Sequence, residues 1–275
     1  MSRGFARLRQ SILWVLTALW MVSCAVSPMG RHQLMLVSED QAIAASREAY
    51  VETLKPFKEA GKLNDDPALK ARIDRIAGRL IAQAIKMRPD TRNWDWSVNV
   101  IDDPDVVNAW AMAGGKIAVY TGLIKKLKPT DDELAQVLGH EIAHALAKHQ
   151  AEKMSVAMAS SMGVLAAGMV SKRPALTMAG AAAAAALAIQ LPNSRAEEAE
   201  ADRIGIELAA KAGYDPRAAI TLWKKMAKLS KGPSLEFLST HPLPENRMKA
   251  LARLVPQMMR YYEQKGDRPV YHIKD

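Results

Sequence analysis

The chain has 275 residues, 49% of them hydrophobic and 24% charged, with a formal net charge of +9. That balance is ordinary for a globular protein, and the length suffices for one folded catalytic domain around a single core. No basic block interleaved with aromatics points to nucleic acid, and Cys24, the only cysteine, excludes an internal disulfide.

At the amino terminus Arg3, Arg7 and Arg9 precede an apolar run from Ile12 to Val22, the layout of a bacterial export signal. The run is short for a membrane span. It ends at Met21-Val22-Ser23-Cys24, which resembles a lipoprotein signal box with methionine where leucine is usual, so Cys24 is expected to be lipidated after cleavage. An unprotected thiol would be a liability in an oxidising compartment, which also favours its use as an acyl acceptor. Ala25, rather than aspartate, follows the cysteine and implies the outer membrane, with the domain facing the periplasm. Ala25-Val26-Ser27 offers an ordinary signal-peptidase site as the alternative, although Pro28 just after the cut disfavours it. Removing the three signal arginines lowers the net charge from +9 to +6, a surplus that could favour anionic lipid headgroups. The expected organisation is residues 1–23 as signal, 24–35 as tether and 36–275 as the folded domain.

Glu39 to Glu59 and Pro67 to Met87 carry apolar residues at helical intervals. Trp94 to Ile101 alternates, Ile117 to Tyr120 is β-branched and aromatic, and Gly114-Gly115 punctuates the stretch between, which together predict a small antiparallel sheet. Thr130-Asp131-Asp132-Glu133 reads as a capping box opening a helix through Leu134, Val137, Leu138, Ile142 and Leu146. On that helix lies His140-Glu141-Ile142-Ala143-His144. Residues four apart share a face, so both imidazoles can point at one metal ion while Glu141 reaches that ion's water, the layout of a zinc hydrolase. His149 lies five residues past His144, about 140° around a continuous helix, and reads as solvated or as standing behind a ligand.

Met154 to Ser171 and Ala175 to Leu191 are uncharged and rich in alanine, glycine, serine and methionine, and predict a helical hairpin (residues 154–191) folded against the domain, with a membrane-inserted hairpin as the alternative. The third metal ligand is sought in Ser194-Arg195-Ala196-Glu197-Glu198-Ala199-Glu200-Ala201-Asp202. Only Glu198 has an aspartate four residues on, so Glu198 is the candidate ligand and Asp202 the group that orients a ligand histidine. A solvated acidic helix face is the other reading of this run. Asp215-Pro216 reads as the start of a later helix, and Asn246 to Tyr262 as another. No repeat array follows.

His140-Glu141-x-x-His144 with Glu198-x-x-x-Asp202, preceded by Asn108 to Leu123 and followed by Thr240-His241-Pro242-Leu243-Pro244-Glu245-Asn246-Arg247, resembles the HtpX-like and CAAX-prenyl-protease-like zinc metallopeptidases. The four elements stand in that family's order. The resemblance implies an α+β, mainly helical zincin-type domain with a small antiparallel sheet and an active-site helix. It implies one Zn2+ per chain on His140, His144 and Glu198, with Glu141 as general base. It also implies that His241 stabilises the oxyanion and that Arg247 orders its loop or supports the site. An extended substrate would add to the sheet edge near Asn108, Gly114 and Gly115, where a plain turn between strands is the other reading. Within this family a periplasmic lipoprotein branch fits the signal, and its implied substrates are unfolded or misassembled envelope proteins. Two rivals remain open from sequence: an integral membrane metalloprotease, and a non-catalytic lipoprotein chaperone, against which the intact Glu141 argues.

Overall fold

A computed structural model of the protein describes residues 24–170, 193–229, 236–241 and 246–273. The expected signal (1–23), the second arm of the expected hairpin and Pro242-Leu243-Pro244-Glu245 lie outside the described residues. Two compact units emerge, one comprising described residues 39–150 and 193–273, the other 24–38 and 151–170.

The larger unit is mainly helical, as expected. Helices α1 (Glu39–Glu59) and α2 (Pro67–Met87) occupy the spans their apolar spacing dictates. The Asp66 carboxylate accepts the N–H groups of Ala68 and Leu69 at 3.0 Å, and Pro67 takes the first helical position, where its missing N–H costs nothing. Ile73, Ile76, Ala77, Leu80, Ile81 and Ala84 then line one buried face of α2.

A three-stranded sheet follows, with β3 (Ser97–Ile101), β4 (Ala109–Met112) and β5 (Lys116–Tyr120) in the order β3-β5-β4. Only β4 and β5 pair antiparallel; β3 runs parallel to β5, so the sheet is mixed rather than wholly antiparallel. The cause is the link at residues 102–108, long enough for β4 to land two strand positions from β3, about 9.6 Å away. Strand β5 then fills the gap. Gly114 and Gly115 make the β4–β5 turn at φ +78° and +79°, a region that side chains rarely adopt. A Cβ on Gly115 would stand 2.4 Å from the Trp96 ring, so the turn also needs glycine for space. The outer edge of β3 is covered: Asn64 N–H donates to the Val100 carbonyl, Val100 N–H to Asn64 Oδ1, and Asp102 N–H to the Lys62 carbonyl, at 2.7–2.8 Å.

Helices α3 (Thr121–Leu127), α4 (Asp131–Leu146), α6 (Arg195–Lys211), α7 (Ala218–Leu229), α8 (Glu236–Thr240) and α9 (Asn246–Tyr262) complete the unit. Helix α7 begins two residues after Pro216, because the Asp215 carboxylate caps a turn by accepting Arg217 N–H at 2.8 Å. The central pair is α4 on α6. They approach so closely at Gly139 and Gly205 that a Cβ on Gly205 would lie 2.8 Å from His140 N, and one on Gly139 2.8 Å from the Gly205 carbonyl oxygen.

In the smaller unit β1 (Cys24–Val26) and β2 (His32–Leu34) form a short antiparallel hairpin, so the stretch expected as tether carries local structure. Ser27 closes it, its Oγ accepting the N–H groups of Met29 and Arg31 at 3.3 and 3.1 Å. Arg31 and Gln33 hold the Glu152 carboxylate of helix α5 (His149–Val170) at 2.5–2.8 Å. Among the described residues no helix is long and apolar enough to cross a membrane.

Candidate metal centre

Helix α4 begins with the capping box expected from sequence: Thr130 Oγ1 accepts Glu133 N–H at 3.2 Å while Glu133 Oε2 accepts Thr130 N–H at 2.9 Å. Three turns later the helix is buried on all sides, and His140, Glu141 and His144 are buried with it. Helix α6 opens with a second capping box, in which Ser194 N–H donates to Glu197 Oε2 at 2.6 Å and Glu197 N–H to Ser194 Oγ at 3.2 Å. This sorts the three glutamates. Glu197 is spent on the cap, Glu200 turns to His149, and Glu198 faces the α4 histidines.

The Gly139–Gly205 crossing brings these groups together. His140 Nε2 and His144 Nε2 are 3.1 Å apart; Glu198 Oε2 is 3.3 Å from the former and Glu198 Oε1 is 3.3 Å from the latter. His241, carried just past α8, places Nδ1 2.8 Å from Glu198 Oε1 and 3.3 Å from His140 Nε2. One ligand atom from each of His140, His144, Glu198 and His241 lies within 4.8 Å of every other. A tetrahedral zinc site with bonds of ~2.0–2.1 Å has edges of about 3.3–3.4 Å. The separations of 2.8–3.3 Å are of that size or shorter, and three imidazoles with one carboxylate are ligands zinc accepts. The residues therefore fit the metal.

Electrostatics favour a cation at the same point. Burial works against a charged His140, but the Glu198 charge, with hydrogen bonds that His140 donates to Asp202 and Glu198 and against the Arg247 charge, leaves it pushed up to about 9. Burial holds His144 well below its ordinary value. Glu198 is held far below the usual carboxylate range: burial opposes this, but the His140 charge and hydrogen bonds from His140, His144 and His241 outweigh it. A site that draws a proton onto one buried imidazole while leaving its neighbour a bare base also attracts a metal ion.

Glu141 stands beside this cluster. Burial, then the Glu198 charge, raise its pKa, against the opposing charges of His241 and His140 and a hydrogen bond from the Ala111 backbone on β4. Its Oε1 is buried and accepts no hydrogen bond, with His241 Nε2 3.5 Å away. A buried carboxylate oxygen left open next to a metal site is where a water's proton would go.

Asp202 lies where its spacing predicts, with Oδ1 3.2 Å from His140 Nδ1. Arg247 fixes that carboxylate with two bonds, Nε to Oδ2 at 2.6 Å and Nη2 to Oδ1 at 2.8 Å, and reaches Glu198 Oε2 with Nη1 at 2.6 Å. Its guanidinium lies 4.0 Å over the Trp223 ring. His241 stands at the fourth corner of the cluster, its ring stacked on Phe237 at 4.5 Å. Asn108, at the head of β4, gives its carbonyl to Tyr120 N–H at 3.1 Å. Gly114 and Gly115 form the turn already described.

One participant had no signal in the sequence. Asn193 Nδ2 donates to Glu198 Oε1 at 2.7 Å and lies 3.1 Å from His241 Nδ1. Of the two readings of His149, the structure takes the one behind a ligand: it is 1% exposed, 2.8 Å from His144 through the two Nδ1 atoms and 3.1 Å from Glu200 Oε2 through Nε2. The Ser194-x-x-Glu197 capping pattern could have been read from the chain and would have removed Glu197 from the competition.

Comparison with known proteins gives a consistent answer. Residues 67–255 match the model of peptidase family M48. The chain is 35% identical over 251 residues to the mitochondrial metalloendopeptidase OMA1 of Bos taurus, covering 86% of this chain and 47% of that protein. It is 41% identical over 159 residues to the OMA1 of Arabidopsis thaliana, covering 58% of this chain and 31% of that one. It is 31% identical over 231 residues to the beta-barrel assembly-enhancing protease of Yersinia pestis, covering 81% of this chain and 45% of that one. The chain thus spans a third to a half of the length of these relatives. They support the family-level resemblance without singling out its HtpX-like or CAAX-prenyl-protease-like members.

Proposed function

This chain belongs to peptidase family M48, and from that premise we propose that it is a zinc-dependent endopeptidase. The observation that carries the proposal is the buried set of four donor atoms within 4.8 Å of one another with the open Glu141 Oε1 beside it. His140, His144 and Glu198 would hold one zinc ion. When bound, zinc lowers the pKa of its water from ~15.7 to ~7 and polarises a carbonyl.

Glu141 takes the proton of the attacking water and passes it to the leaving amine. Burial raises its pKa, which makes it a stronger base for the first step. The Ala111 N–H keeps the carboxylate aimed. His241 closes the fourth corner in this conformation, so hydrolysis requires it to yield that corner to water. Displaced, its ring N–H can face the developing oxyanion, a donor typically worth ~2.7–4 kcal/mol in the barrier. Asp202, itself gripped by Arg247, fixes the His140 tautomer.

An extended substrate would add to the edge of β4. The β3 edge is already covered by residues 62–64, while β4 carries the N–H that touches Glu141. Asn108, Gly114 and Gly115 flank this strand and would meet the substrate backbone.

The site belongs to a lipoprotein in this reading: Cys24 is acylated, the signal before it is removed, and the domain works on the periplasmic face of the outer membrane. The basic and apolar pattern before Cys24 supports this. Unfolded or misassembled envelope proteins are the proposed substrates, a choice supported by the name of the Yersinia pestis relative. A direct test is digestion of an unfolded protein such as casein by the purified full-length chain. Cleavage abolished by a zinc chelator and restored by added zinc is expected; cleavage indifferent to the chelator would overturn the proposal.

A further inference from the structure

We propose that His149 and Glu200 form a positioning relay that locks His144 in the one tautomer able to bind the metal. The inference deepens the metal-site reading and rests on it.

The relay begins with a break in the helix. Helix α4 ends at Leu146, and Lys148 adopts φ +60°, a left-handed conformation uncommon for a residue with a side chain. On a continuous helix His149 would point about 140° away from His144. The break instead turns it back, so that its ring meets His144 edge-on at 4.9 Å between centroids. The two Nδ1 atoms are 2.8 Å apart, and His149 Nε2 is 3.1 Å from Glu200 Oε2. All three side chains are buried, so water does not offer a substitute partner.

Hydrogen-bond chemistry gives this chain a single direction. A contact of 2.8 Å between two ring nitrogens requires one proton between them. An ionised carboxylate only accepts, so with His149 a neutral imidazole Glu200 draws its one proton onto Nε2 and leaves Nδ1 bare. That bare nitrogen can only accept, so His144 must carry its proton on Nδ1. His144 Nε2 is then the lone pair facing His140 and Glu198. Without Glu200, His149 could hold its proton on Nδ1 and donate toward His144, which would force the His144 proton onto Nε2 and block ligation. The two α4 ligands are thus served differently. His140 has a carboxylate directly behind it, Asp202, whereas His144 reaches its carboxylate through a second imidazole. Neither His149 nor Glu200 touches the reacting atoms; both act through His144.

The test uses the full-length protein, zinc affinity by competition with a chromogenic chelator, and the visible spectrum after substitution with cobalt(II). His149→Leu should weaken zinc binding ~10–100-fold, the usual cost of removing a partner behind a ligand, and should alter the cobalt bands. His149→Asn places an amide oxygen near the Nδ1 position, where it accepts from His144 whatever the state of Glu200, and should restore most of the affinity and the spectrum. Glu200→Leu should approach the His149→Leu value, and Glu200→Gln, which retains an acceptor, should lose less. A His149→Leu protein with a lower Tm but unchanged zinc affinity and cobalt spectrum would overturn the relay, leaving His149 a packing residue. If the wild type itself bound no zinc, and His144→Ala matched it, the metal-site reading would fail and the relay with it.

Discussion

Replacing Gly205 with alanine adds one methyl where α6 crosses α4, and the consequence can be worked out from the crossing. The new Cβ would lie 2.8 Å from His140 N and 2.9 Å from both Gly139 C and His140 Cα. Ordinary contact is ~3.5–4.0 Å, so the helices must part by about 0.7–1 Å. Overpacking of this kind costs ~1–3 kcal/mol, while alanine returns ~0.8–1 kcal/mol of helix propensity, so the net loss of stability is at most about 2 kcal/mol. The effect on the metal should be larger than the effect on the fold. Metal–ligand distances tolerate roughly ±0.2 Å, and Glu198 and Asp202 on α6 would be displaced several times that far from His140 and His144 on α4. Zinc affinity should therefore fall at least ~10–100-fold, the range seen when a ligand's support is disturbed. Chelator competition measures this, with circular dichroism checking that the variant is folded. Gly139→Ala, whose Cβ would meet the Gly205 carbonyl oxygen at 2.8 Å, gives an independent reading of the same crossing. A folded Gly205→Ala protein binding zinc within about twofold of wild type would refute the claim that this close approach sets the site.

The acidic run on α6 should separate by role: Glu198→Ala loses zinc, Asp202→Asn weakens it ~10–100-fold, and Glu197→Ala leaves affinity near wild type while costing ~1 kcal/mol of stability as a broken cap. Zinc titration and thermal melts of the three variants decide this; a Glu197→Ala protein that cannot hold zinc would mean the register is wrong. Glu133 lies below its ordinary 4.5, since hydrogen bonds from Lys225, Thr130 and Thr221 outweigh the burial that raises it. A depressed carboxylate stabilises the fold fully above its unfolded value and ceases to do so as pH falls through the folded one, so the Tm deficit of Glu133→Gln should be a few degrees at pH 7 and shrink below pH 4.5. A deficit that grows toward acid would contradict the sign. Mass spectrometry of the mature amino terminus should find a lipidated Cys24, and Cys24→Ala should block that processing; an unmodified terminus at Pro28 would show ordinary signal cleavage instead.

The parts of this protein legible in its sequence are those written in local pattern. Helices α1, α2 and α4 follow from apolar spacing and caps, and the α4 motif places His140, Glu141 and His144 on one turn because helical period alone decides which face they share. Glu198 and Asp202 share a face for the same reason, four residues apart on α6. What resisted reading is long-range or depends on a single torsion. The parallel pairing of β3 with β5 is set by where a loop lands, and no strand's composition states it. For His149 periodicity left two readings, solvated or standing behind a ligand, and the break at Lys148, φ +60°, decides for the second. Gly139 and Gly205 look like weak points in helices until the crossing shows that any larger residue would hold them apart. Asn193, five residues before Glu198 and outside any motif, reaches its carboxylate through the turn into α6, which no local pattern states.

The central claim is that Glu141 activates water at a zinc site on this chain, and Glu141→Gln tests it most directly. The substitution preserves the size of the side chain and its place beside β4 but removes proton acceptance. The full-length variant should retain about one zinc per chain, measured by atomic emission, while casein cleavage falls ~100- to 10,000-fold, the range typical for loss of general acid–base catalysis. A Glu141→Gln protein that carries its zinc and still cleaves casein within about tenfold of the wild-type rate would contradict the account.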